Sequence, residues 1–155
     1  MSILKVNTIQ KKDGTQFPLV GQVVSGTYGT AQTSTTTTYA DTGLSLSITP
    51  SSTSSKILVL VSQNLVIYDG ISASTLGKIQ LLRDSTQLTE ILGLANRYPA
   101  THFSNSQTSI YKLDSPATTS SVTYKTQFAV QAGSEVRVQY GSINDSFMTL
   151  MEVLA

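Results

Sequence analysis

Short apolar runs separated by Ser, Thr and Gly punctuate the whole chain, and their spacing is that of strands. Leu44, Leu46 and Ile48 fall on one parity and Ser45 and Ser47 on the other, which predicts a strand with one buried face. Val122, Tyr124, Thr126, Phe128 and Val130 share a face in the same way, as do Val136, Val138 and Tyr140 after a turn at Ala132-Gly133. Residues 56–68 differ. They begin apolar on both parities, with Ile57 to Val61 unbroken, which predicts a central strand covered on both faces. Residues 147–154 are also apolar on both sides, with Glu152 the only charge, so this strand is expected in a sheet centre or at a subunit interface. No window keeps a 3.6-residue period for three turns, and residues 88–94 are the one short stretch compatible with a helical turn.

The punctuation is that of turns. Asp41-Thr42-Gly43 is expected to join strands at 35–40 and 44–48, and Asp84-Ser85-Thr86 to join strands at 78–83 and 87–92. Asp69-Gly70 closes the long apolar strand, and Asp114-Ser115-Pro116 ends a strand at 109–113. Residues 20–24 form another apolar stretch, followed by a turn-rich zone around Gly26 and Gly29. Residues 96–107, which include Pro99 and several aromatics, read as a long loop. At the start, residues 2–9 have strand character and Lys12-Asp13-Gly14 turns the chain. Residues 1–20 are therefore read as an arm or attachment hairpin, and 21–155 as one head domain. About ten short strands at this turn spacing indicate an all-β fold, an antiparallel β-sandwich or jelly roll.

Composition narrows the setting. Charged residues make up 12% of the chain, about half the usual share for a soluble domain. The surface must then be covered by Ser, Thr, Gln and Asn, or by neighbouring chains. The net charge is +1, with Lys and Arg scattered, so nothing suggests a nucleic-acid partner. There is no cysteine, which removes disulfides, thiolate metal sites and a Cys nucleophile together. If the protein works outside the cell, its durability must come from packing and association. Residues 1–10 lack the apolar core of a signal peptide, and no stretch has the length of a transmembrane helix. A protein made in the cytoplasm and without membrane insertion is expected.

Reaction chemistry has little to stand on. The lone histidine, His102, has no second His or Cys to complete a standard zinc site. Serines are abundant, but no Gly-x-Ser-x-Gly elbow accompanies them. Asp13, Asp41, Asp69, Asp84, Asp114 and Asp145 all fall at predicted turns, where an Asp side chain caps backbone N–H groups. Gly77-Lys78 is followed by Ile79, so no phosphate loop is completed. The expectation is no enzyme, no metal and no cofactor. The loop aromatics Tyr98 and Phe103, with His102 between them, are the candidate receptor contacts, because loops on β scaffolds carry binding function. Tyr68, beside Asp69-Gly70, is a further exposed aromatic of this kind.

Several segments resemble small virion proteins of tailed phages that infect cyanobacteria and marine bacteria. They are Leu4-Lys5-Val6-Asn7-Thr8-Ile9-Gln10 with Asp13-Gly14-Thr15, then Thr38-Tyr39-Ala40-Asp41-Thr42-Gly43-Leu44 and Ile48-Thr49-Pro50-Ser51-Ser52. Leu81-Leu82-Arg83-Asp84-Ser85-Thr86, Leu113-Asp114-Ser115-Pro116-Ala117-Thr118-Thr119 and the closing Thr149-Leu150-Met151-Glu152-Val153 continue the likeness. The resemblance implies a virion component: a homotrimeric tail-fibre or adhesin module that attaches to host glycan or protein, or alternatively a capsid-surface decoration protein. It also implies a jelly-roll head similar to the tumour-necrosis-factor-like fold. Leu4, Val6, Ile9 and Phe17 would then make the arm's assembly contacts with neighbouring chains or other virion proteins. Phe147, Met151 and Val153 would form an interface strand.

Overall fold

The computed structural model describes residues 20–68, 75–95, 103–141 and 144–154. The described residues form ten strands and no helix. They are β1 (Val20–Tyr28), β2 (Gln32–Ser34), β3 (Ala40–Ile48), β4 (Lys56–Tyr68), β5 (Leu76–Arg83), β6 (Thr86–Ala95), β7 (Phe103–Asp114), β8 (Val122–Ala132), β9 (Glu135–Val138) and β10 (Ser146–Val153). All pairings are antiparallel.

Two sheets result. In one, β4 pairs with β7 along one edge; along the other it pairs first with β10 and then with β9, which lead to β1 and β2 respectively. The second sheet runs β3-β8-β5-β6. With the short β2 and β9 set aside, β1-β10-β4-β7 facing β3-β8-β5-β6 is the strand order of a jelly roll. The expected all-β sandwich is the fold.

The core lies between the sheets and follows the parity read from the sequence. Ile57, Val59, Val61, Leu65 and Ile67 of β4 point inward, against Tyr124, Phe128 and Val130 of β8 and Ile79 and Leu81 of β5. Tyr124 and Phe128 are wholly buried; large aromatic side chains contribute roughly 2–3 kcal/mol each when removed from water. A polar seam crosses this core. Thr126 Oγ1 lies 2.8 Å from Gln63 Oε1, and Gln63 Nε2 donates to Ser146 Oγ at 2.7 Å, all three residues being buried. Such groups are tolerated inside because each finds a partner.

Several expectations are corrected. Residues 35–39 are not a strand: Ser34 Oγ bonds the carbonyl of Thr36, and that carbonyl also accepts the Val130 N–H. Local Ser/Thr bonding has displaced a ladder there. Asp41-Thr42-Gly43 is no turn but an irregularity inside β3, where pairing with β8 shifts register between Asp41 and Ser45. Gly26 lies within β1, and no turn separates it from Val24. The long loop at 96–107 is shortened from its far end, because Phe103 to Gln107 pair with Tyr68 to Asn64. Tyr140 is not on β9: Gln139, with a φ of 50, takes the chain out of the strand first. The predicted turn at Asp84 is present, reduced to Asp84-Ser85, and its carboxylate accepts the Thr123 N–H at 3.0 Å. Of the expected arm at 1–20, residues 1–19 lie outside the described residues, as does the turn at Asp69-Gly70, and Val20 belongs to β1.

Candidate interaction surface

The two outer faces of the sandwich differ in chemistry. On the β3-β8-β5-β6 sheet several exposed positions are charged and mutually bonded, beside an exposed Leu92. Lys125 Nζ is 3.0 Å from an Asp41 oxygen, Gln127 donates to the same carboxylate, and Tyr39 donates to Glu90 under the Lys78 ammonium. Burial would raise the Asp41 pKa, but the bonds from Gln127 and Lys125 outweigh it and hold the carboxyl below its usual range. Burial, with the bond to Glu90 and its charge, pushes the Tyr39 hydroxyl well above the ordinary phenol.

The opposite face, on β1-β10-β4-β7, has no such charges over three successive rows. Strand register places Val23, Met151, Leu58 and Leu113 side by side in the first row. Ser25, Thr149, Leu60 and Tyr111 form the second; Thr27, Phe147, Ser62 and Ser109 form the third. Tyr111 is 78% exposed, Val23 56%, Leu113 50% and Phe147 49%. A pocket of about 260 Å³ opens between Tyr111 and Phe147, with Leu60 and Thr149 among its lining residues. Charge returns only beyond these rows, at Lys56 opposite Val153 and at the Arg137–Glu135 pair.

This face revises one expectation. The β4 strand was expected to be covered on both sides, and its inward residues Ile57 and Val59 are fully buried. Yet outward Leu60 remains 39% exposed, and only Asn64 and Val66, further along, are covered on that side. The β10 strand does lie inside its sheet, between β1 and β4.

Of the residues singled out from sequence, Phe147, Met151 and Val153 all project from this outer face, Phe147 at the pocket. Phe103 opens β7 opposite Tyr68. Tyr98 and His102, and the arm residues Leu4, Val6, Ile9 and Phe17, lie outside the described residues. Tyr111, Leu113 and Leu60 escaped the sequence reading. At 109–113 either parity carries apolar residues, and only the sheet pairing shows that Ile110 points inward and Tyr111 outward.

Two carboxylates, Asp114 at a predicted turn and Glu152 as the lone charge of the last strand, hold structural bonds. Asp114 ends β7 in a buried position, 2.7 Å from Arg83 Nη1, and accepts the Tyr124 hydroxyl at 2.7 Å. Burial, with the bond to Asp114 and its charge, drives the Tyr124 hydroxyl far above its ordinary value. Glu152 faces inward and accepts from the Ser51 N–H at 2.6 Å, the Ser51 hydroxyl at 2.7 Å and Gln22 Nε2 at 2.8 Å. Among the described residues no three His, Asp or Glu side chains gather as a metal site.

The fold and this surface define a jelly-roll module with one charged outer face and one that is uncharged and partly apolar over three rows. No protein-family model and no curated protein matches the chain. Solved structures similar to it include the icosahedral particle of infectious bursal disease virus, at 14% identity and a TM-score of 0.42, over 98% of this chain and 40% of that one. The Gx strain of the same virus gives 13% and 0.42, over 98% and 42%. Dimeric latent PorU from Porphyromonas gingivalis gives 9% and 0.36, over 94% and 14%. The chain thus spans about two fifths of the length of the viral proteins it matches.

Proposed function

We propose that the chain is a structural component of a virus particle, a trimeric head module of the tail-fibre or adhesin type, acting by binding and assembly and catalysing no reaction. The observation that carries the reading is the unequal chemistry of the two outer faces. A contiguous charge-free face bearing several exposed large apolar side chains is the kind of surface another protein covers. The sequence resemblance to virion proteins of tailed phages supplies the setting. A cysteine-free chain with 12% charged residues agrees with toughness gained from identical neighbours. In this reading Leu4, Val6, Ile9 and Phe17 tie the arm to neighbouring chains or to other virion proteins. Tyr98, His102 and Phe103, in and beside the connection from β6 to β7, contact host-surface glycan or protein.

The test is the position of the protein on purified particles, by immunogold labelling. Label at the tail is expected, together with adsorption to host cells slowed roughly tenfold or more by Tyr98→Ala or Phe103→Ala, as for aromatic hot spots. Label spread over the capsid, with adsorption unchanged, would replace the adhesin by a decoration protein. Particles free of label would sink the virion reading altogether.

A further inference from the structure

We infer that Tyr111 of one copy seats in the apolar pocket between Tyr111 and Phe147 of a second copy, making the outer face of β1-β10-β4-β7 the surface through which identical chains associate. The inference rests on the self-association proposed above and adds its surface and contact residues.

Knob and hole are both present. Tyr111 sits in the middle of a regular strand, yet 78% of it is exposed. A ring of that size, left in water, forgoes most of the stabilisation an aromatic side chain can give. The pocket beside it, about 260 Å³, is lined chiefly by apolar atoms; that is smaller than sites for drug-sized ligands and on the scale of a side chain. Because both features lie on one face, that face can complement its own copy across a two-fold axis, while around a three-fold axis each Tyr111 would enter the next copy's pocket in turn.

Charge selects the occupant. A face that meets its own copy sets each charge near its like, and desolvated like charges repel strongly. The three rows carry no Lys, Arg, Asp or Glu, whereas the opposite sheet presents Asp41, Lys78, Glu90 and Lys125. Four strands about 4.8 Å apart and three rows roughly 7 Å apart outline about 400 Å² of projected surface, comparable to the largest patch on a typical monomer, which is often functional; a stable contact between copies, at about 800 Å² per partner, extends beyond these rows. The sequence adds an independent sign. The first half of β4 and most of β10 carry apolar residues on both parities, the pattern of strands covered on both faces, and among the described residues only the inner positions there are buried.

The test uses the full chain in sedimentation and native mass measurements. The unaltered chain is expected to be oligomeric at micromolar concentration. Tyr111→Glu and Leu60→Glu should each weaken association roughly 100-fold or more with the circular dichroism spectrum unchanged, and Lys78→Glu on the opposite face should leave it intact. Should the Glu variants misfold, the cysteine-free chain permits a Tyr111→Cys/Phe147→Cys variant. Within one chain these positions are two strand spacings and one row apart, roughly 12 Å, too far for a disulfide. Mild oxidation should therefore link separate chains, while Lys78→Cys should not. A monomeric unaltered chain, an oligomer indifferent to both Glu substitutions, or oxidation that links nothing would each overturn the inference. A monomer that still labels particles would leave the virion reading standing; an oligomer of this kind absent from particles would do the reverse.

Discussion

Glu152 shows how one side chain can join three parts of the fold. From β10 it holds Gln22 of β1 and the Ser51 turn that links β3 to β4. Burial alone would raise its pKa, but the bonds from Ser51 and Gln22 prevail and bring it from 4.5 down to about 2. Folding therefore favours the ionised form. The stabilisation is complete above the ordinary carboxylate range and is lost as pH falls through about 2. Thermal melts of Glu152→Gln should lie below those of the parent at pH 7, and the gap should close as pH drops from 4.5 to 2. A gap that stays constant over that interval would exclude this role. The sequence marks Glu152 as the lone charge of an apolar strand, but not as a clamp. Its partners lie 101 and 130 residues away, and no local pattern records them.

At the scale of elements, β3 carries the most demanding backbone. Gly43 has a φ of +87, and a Cβ there would meet the Tyr28 ring of β1. The irregularity lets Thr42 turn inward, where its hydroxyl lies 2.6 Å from that of Thr126 in the neighbouring strand. Gly43→Ala should lose about 2 kcal/mol or more in urea unfolding, from backbone strain and steric clash together. Gly26→Ala, whose Cβ would meet only the flexible Leu46 Cδ1 at 3.2 Å, should lose under about 1 kcal/mol. Equal losses would mean that the left-handed backbone is not the cause. The sequence signal at 41–43 was real but ambiguous. A turn and a bulge both need a residue tolerant of positive φ, and Gly43 serves either. Pairing with β8 decided for the bulge.

For the whole molecule, the apolar face links stability to concentration. If identical chains cover it only when folded, mass action shifts the folding equilibrium as protein concentration rises. The melting temperature should climb by roughly 2–4 °C per tenfold increase in concentration, and Tyr111→Glu should abolish the dependence. Calorimetry over a hundredfold range would check this; a flat melting temperature would count against an assembly held together by this face.

Alternation along each strand settled that the chain is an all-β sandwich, and settled most of its core. A period of two forces Val122, Tyr124, Phe128 and Val130 onto one face whatever the rest of the chain does. Which strand lies beside which is another matter, because hydrogen-bonded neighbours such as β1 and β10 are more than a hundred residues apart in sequence. Only the tertiary pairing could set Leu60, Tyr111 and Phe147 around one pocket, because each comes from a different strand and each sequence segment alone has apolar residues on both sides.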